Sequence, residues 1–213
     1  MMAVKLGELR DTGHLSFSDG YRTKQSELAT EGFRIVRAGD INDGGLALRS
    51  LDFVEASREP QIGMKAVCQG DVAITTKGTI GRVVRVNEPL DEPAVWSPQI
   101  CFFRFHATDI IDRDYFSFWL SSPEAKAQIR AVSESTDMAP YLNLRDLSNL
   151  QLSLPPIEKQ RAIGQILGLF DDKIATNRRS VEMQDRLRHA LWQRNLKDGA
   201  VPKPLSSLAS FVN

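Results

Sequence analysis

Cations and hydrogen-bonding side chains recur in this sequence beside short β-prone runs, in three groups. Arg34, Arg37, Lys77, Arg82 and Arg85 lie on or next to such runs, with Thr79 between Gly78 and Gly81. Tyr21, Arg22 and Lys24 share a polar segment near the N-terminus. Ser133, Ser135, Thr136, Tyr141, Asn143 and Arg145 gather around the polar stretch SESTDMAPY. Guanidinium and ammonium groups suit phosphate contacts, and hydroxyls and amides suit the edges of bases. The chemistry on offer is therefore recognition of a nucleic acid. The candidate contact set is Tyr21, Arg22, Lys24, Arg37, Thr79, Lys77, Arg82, Ser133, Ser135, Thr136, Tyr141 and Asn143. All of these are also ordinary surface types, so the pattern alone leaves open an adapter whose β domain binds protein.

Catalytic patterns are scarce. The sequence has no Walker loop, GxGxxG or GxSxG. Leu154-Pro155-Pro156-Ile157 lacks the polar first residue and aromatic fourth residue of an amino-methyltransferase tetrad. Asp114 with Glu124-Ala125-Lys126 resembles the carboxylates and lysine of a metal-dependent nuclease, which would make the chain a small enzyme. That tripeptide is common by chance and falls at a surface helix start, so it reads as a solvated face. Two cysteines and three histidines (His14, His106, His189) do not fit closed zinc-site spacings. Cys68 and Cys101 both sit in apolar runs, which predicts core thiols. No catalytic, metal or cofactor residue is assigned.

The elements that must position the contact set are read from periodicity. The first 110 residues are mainly β in pattern: FRIVR (Phe33–Arg37), MKAVCQGDVAITTKGTIGRVVRV (Met64–Val86) as three short strands, and QICFFRF (Gln99–Phe105). Asn42-Asp43-Gly44-Gly45 is a turn by chemistry. Helical signals follow. They lie over Asp112–Ser121, from a Ser122-Pro123-Glu124 start to Val132, and at Asn143, which makes a capping-box spacing with Asp146. NLQLSL then alternates as a strand and stops at Pro155-Pro156. The fold class is α+β, a mostly antiparallel or mixed sheet with short helices, over residues 1–155.

One helix of about forty residues follows, over residues 156–197, ended by Asp198-Gly199 and the prolines beyond. At 1.5 Å per residue it is roughly 60 Å long, against roughly 30–35 Å for a compact domain of the preceding size. It is expected to project and to need a partner for its apolar stripe. Ile163, Leu167, Phe170, Ile174, Val181, Leu187 and Leu191 carry that stripe, with Asn177 as a polar interruption able to fix register. Gly164 and Gly168, four apart, point to close approach of another backbone. A helix hairpin or a homodimer through this helix is the expected assembly, against the plainer reading of a helix folded back along its own domain. Residues 198–213 read as a linker, and VPKPLSSL there echoes VKLGEL near the start, as if a second repeat began.

Bulk properties set limits. Of 213 residues, 42% are hydrophobic and 25% charged, an ordinary globular balance. No apolar run reaches membrane-spanning length and no secretory leader is visible, so a cytoplasmic protein without membrane contact is expected. Net charge is zero, but residues 1–156 carry 17 Lys/Arg and 21 Asp/Glu, whereas residues 157–197 carry 9 and 5. DNA binding by the first part thus requires a local basic patch, since no global field supports it.

The long segment LSLPPIEKQRAIGQILGLFDDKIATNRRSVEMQDRLRHALWQ (Leu152–Gln193) resembles the conserved helix of the DNA-specificity subunit of type I restriction–modification systems. Lys159 separates Glu158 from Gln160 where that family places the acid and amide side by side. FRIVRAGDINDGG (Phe33–Gly45) and CQGDVAITTKGTIGRVVRV (Cys68–Val86) are similar to the Gly-Asp turns of its target-recognition domain. The resemblance implies a non-catalytic subunit that reads one half of a bipartite double-stranded DNA target. It implies that the helix sets the spacing and docks methyltransferase subunits and, through them, restriction subunits. S-adenosylmethionine, ATP and magnesium are implied for those partners and not for this chain.

Overall fold

The computed structural model describes residues 2–42, 45–133 and 141–197. The chain divides into two units, Met1–Gly168 and Leu169–Asn213.

Along the first unit, strand β1 (Met2–Lys5) leads into helix α1 (Leu6–Asp11) and strand β2 (Leu15–Asp19). Short strands β3 (Leu28–Ala29), β4 (Phe33–Val36), β5 (Ile41–Asn42), β6 (Gly45–Leu46) and β7 (Phe53–Val54) precede the one-turn helix α2 (Glu59–Ile62). Then come β8 (Val72–Thr75), β9 (Val83–Arg85), β10 (Ala94–Trp96) and β11 (Ile100–Phe105). Helices α3 (Arg113–Leu120), α4 (Pro123–Ser133) and α5 (Leu144–Asn149) follow, and β12 (Gln151–Leu154) leads to helix α6 (Ile157–Lys197).

A four-stranded antiparallel sheet, β2-β11-β8-β9, lies at the centre. A second sheet, β10-β4-β7-β3, pairs β10 with β4 in parallel and the rest antiparallel. The mixed α+β class is as expected. The central sheet is buried on both faces. Cys101 and Phe103 of β11 join Val72, Ile74, Phe116, Trp119 and Leu120 in one core, while Ile100 and Phe102 join Val36, Ile41 and Trp96 in another. Helices cover one side and the second sheet the other, which is why ICFF is an unbroken apolar run. Phe103 packs edge-on against Phe116 with centroids 4.9 Å apart.

Capping chemistry explains the helix boundaries. Asp112 accepts the Tyr115 N–H at 2.8 Å, Ser122 Oγ accepts the Ala125 N–H at 3.2 Å, and Asn143 Oδ1 accepts the Asp146 N–H at 2.8 Å. Two expectations fail. The residues before Cys68 form no strand: Gly63–Lys65 is a 3₁₀ turn and Ala66 makes only an isolated bridge to Val95. Cys68 is exposed, because the Cys68–Asp71 turn reverses the chain at the surface. Cys101 is fully buried, and burial first, then the nearby Asp19 charge, push its thiol well above the usual range. The N-terminal helix α1 had no periodic signal; β1, paired antiparallel with β12, and the α1–α5 packing hold it in place.

Helix α6 begins inside the first unit. Gln160 is buried and uses its whole amide: Oε1 accepts the Asp112 N–H at 3.0 Å, and Nε2 donates to Ile110 O at 3.0 Å and Pro155 O at 2.8 Å. A Cβ on Gly164 would stand 3.2 Å from the Tyr115 nitrogen, so the close approach expected there is to α3 of the same chain. A Cβ on Gly168 would meet nothing within 4 Å. Ile163 and Leu167 are half-buried. In the second unit no described side chain is buried, and Phe170, Ile174, Val181, Leu187 and Leu191 are all exposed, as is Asn177. The echo in residues 198–213 lies outside the described residues.

Candidate nucleic-acid interface

The first group of candidates is organised by a buried carboxylate. Glu27, 4% exposed, accepts the Lys24 N–H at 2.9 Å and the Tyr21 hydroxyl at 3.1 Å. These bonds, the backbone one first, hold its carboxyl below the usual range, while burial, then the bond to Glu27, raises the Tyr21 phenol. With the segment pinned from beneath, Arg22 and Lys24 stay exposed. They line a groove of about 260 Å³ together with Thr23, Gln25, Arg37, Ser97 and Gln99. Arg37 is exposed and paired with Asp52, an ion pair open to exchange for a phosphate. Its own N–H donates to Asp40 Oδ2 at 2.8 Å.

The second group sits on the loop between β8 and β9. Thr75, fully buried, accepts the Arg82 N–H at 3.0 Å through its hydroxyl, which donates to Thr79 O. Gly78 and Gly81 take φ of 74° and 88°, a region that side chains with a Cβ rarely adopt. The loop therefore projects Lys77 and Thr79 as a fixed hairpin tip. Lys77 bridges to Tyr141 through the backbone, and its ammonium lies 5.9 Å from the Tyr141 ring centroid. Arg82 Nη1 donates to Ile41 O at 3.2 Å, leaving the rest of its guanidinium at the surface.

One backbone bond joins the two groups: Thr76 N–H donates to Gln99 O at 2.8 Å. Gln99 lines the groove of Arg22, Lys24 and Arg37, and Thr76 opens the loop of Lys77 and Arg82. The loop carrying Lys77, Thr79 and Arg82 thus adjoins the strand end that borders the groove of Arg22, Lys24 and Arg37, with Tyr141 beside Lys77.

Other candidates serve the fold. Tyr21 is committed to Glu27. Ser133 is buried and donates to Arg130 O at 3.3 Å, because it ends α4 facing the core. Asn143 is spent on capping α5. Arg34 is held by Glu92 and Ser50 O, and Arg85 lies over the Phe118 ring at 4.5 Å. Ser135 and Thr136 lie outside the described residues. Sequence reading missed Thr23, Gln25, Ser97 and Gln99. Gln99 had been absorbed into a strand that begins one residue later, and Pro98 was the available sign of a turn.

The nuclease-like carboxylates are not together. Asp114 pairs with Arg113 at 2.9 Å and Arg85 at 3.7 Å, whereas Glu124 accepts the Ser153 hydroxyl at 3.0 Å. Among the described residues no cluster of three His, Cys, Asp or Glu could hold a metal ion.

The two Gly-Asp turns use one device. Asp40 accepts the Arg37 N–H, and Asp71 accepts the Cys68 N–H at 3.0 Å, each three residues back. Asp71 further receives the Trp96 indole at 3.1 Å and two bonds from Arg104 at 2.8 and 2.9 Å. The pairing with Asp71 raises the Arg104 guanidinium.

The family description "Type I restriction modification DNA specificity domain" matches residues 1–182. The chain belongs to this family. The specificity subunit of the type I enzyme MjaVIII from Methanocaldococcus jannaschii is 24% identical over 191 residues, covering 87% of this chain and 43% of that protein. The EcoBI specificity subunit of Escherichia coli is 32% identical over 139 residues, covering 62% and 27%. The crystal structure of a type I S subunit from M. genitalium superposes with TM-score 0.60 at 18% identity, covering 89% of this chain and 44% of that one. The specificity-domain chain thus spans less than half the length of these relatives. Among its described residues, no helix is long and apolar enough to cross a membrane.

Proposed function

We propose that this chain is a non-catalytic DNA-recognition subunit reading one half of a bipartite target. The observation that carries the reading is the convergence of two cation groups through the Thr76–Gln99 bond. Exposed Arg22, Lys24 and Lys77 supply phosphate contacts, and the rigid turns between them present polar side chains to base edges. The acidic balance of the domain is no obstacle. Its buried charged side chains among the described residues are Glu27, Asp40 and Asp71, all acids already engaged, while the groove cations face outward.

Residues 1–155 act as the reader and residues 156–197 as the spacer. The apolar residues exposed on α6, from Phe170 to Leu191, suit pairing with a second such helix and docking of methyltransferase subunits. Restriction subunits join through those. Two copies of this chain paired by a two-fold axis would present identical readers to inverted half-sites. Methyl donor, nucleotide and magnesium belong to the partner subunits.

The test is duplex binding by the full chain with its methyltransferase subunits, across a salt series. Log affinity is expected to fall steeply with log salt, and Lys77→Ala or Arg82→Ala to flatten the slope by about one unit each. A flat salt response would favour the protein-binding adapter.

A further inference from the structure

The Ser97-Pro98-Gln99 turn lies where the two cation groups meet, and Pro98 alone marks it in the sequence. We infer that Gln99 is a specificity-determining residue that reads an adenine within the half-site; this rests on the DNA-recognition reading above.

Its main chain is fixed on both sides. Ser97 N–H donates to Val36 O at 3.0 Å, Ile100 N–H donates to Ser97 O at 3.0 Å, and Gln99 O accepts from Thr76. Pro98 restricts the backbone between them. The turn also presses on Gly20, where a Cβ would stand 2.2 Å from Ser97 O, so no other residue is accommodated there without moving the turn. A side chain launched from such a base is preorganised.

The Gln99 side chain is exposed, and no hydrogen bond to its amide occurs among the described residues. An amide offers a donor and an acceptor side by side, the pattern matched by adenine N7 and N6 in the major groove. Arg22, Lys24 and Arg37 line the same groove and suit the flanking phosphates. Ser97 also lines it, is 6% exposed, and its hydroxyl has no partner among the described residues.

The experiment is selection from randomised duplexes by the full chain with its methyltransferase subunits, followed by single-pair substitution of the selected site. Gln99→Ala is expected to reduce discrimination at one A·T pair by roughly 5- to 150-fold, with the other positions unchanged. Gln99→Glu is expected to move that preference toward C·G, because a carboxylate accepts from cytosine N4. Gln61→Ala, an exposed glutamine of α2 that does not line the groove, should leave selection unchanged. An unaltered urea midpoint confirms that each variant folds. The inference is overturned if Gln99→Ala retains every preference, or if Gln61→Ala loses the same one. A wild-type complex that selects no sequence overturns the DNA-recognition reading itself.

Discussion

The two units of this chain solve the problem of polar and apolar groups in opposite ways. In the first, carboxylates and amides are drawn inside and satisfied. Asp71 is fully buried with four bonds from three residues, and Gln160 is buried with three bonds. In the second, large apolar side chains stand exposed along a helix: Leu169 at 70%, Met183 at 65%, Trp192 at 64%. A domain closed by internal pairs is self-sufficient. A helix bearing such a face gains most of its stability from whatever covers it. The difference supports the proposal that reading and assembly reside in different units, which separate substitutions can test.

Four substitutions, ranked by their effect on the first unit, test this division. Asp71→Ala strands the Arg104 guanidinium and the Trp96 indole; the loss expected is about 3–5 kcal/mol in urea unfolding followed by tryptophan fluorescence. A loss under 1 kcal/mol would show that the pair contributes little. Gln160→Ala removes three bonds at the root of α6, and about 2 kcal/mol should be lost, with hydrogen exchange accelerating at Asp112. Unchanged exchange there would mean that Pro155 and Gly164 alone hold the root.

Glu27→Gln acts through pH. The carboxyl is depressed in the folded state, so its contribution is complete above the ordinary value of 4.5 and is lost as pH falls through the depressed one. The acid limb of a melting-temperature profile should therefore be shallower in the variant, which is less stable than wild type at neutral pH and converges with it in acid. An identical acid limb would assign the acid sensitivity to other groups. Leu187→Asp, at the other extreme, should leave the first unit within about 0.5 kcal/mol of wild type, since the side chain is 59% exposed. It should lower self-association in sedimentation velocity, and wild-type association would remove Leu187 from the pairing face.

Much of this was legible in the sequence wherever local chemistry decides structure. The caps at Asp112, Ser122 and Asn143 follow from short polar side chains ahead of apolar periodicity, and the prolines at 155 and 156 mark where α6 begins. The α+β class follows from strand runs succeeded by helices. What tertiary contact decides was hidden. Tyr21, Ser133 and Asn143 have the types of DNA-contacting residues, yet each is committed to a neighbour that spacing does not reveal. Cys68 lies in an apolar run but at a turn fixed by Asp71 from three residues on. Gln99 enters the interface through a backbone bond to Thr76, a pairing of distant strands. Gly164 signals the close approach of another backbone, but the sequence shows only the need for space and not that α3 fills it.

On the proposed function, one unit reads a short DNA sequence and the other sets its distance from a second such reading. Mapping the methylated positions on DNA treated with this chain and its methyltransferase subunits tests it most directly. Two short half-sites separated by a fixed run of unread bases are expected, identical and inverted if two copies of the chain pair. Modification at a single uninterrupted site, or half-sites at variable separation, would contradict it.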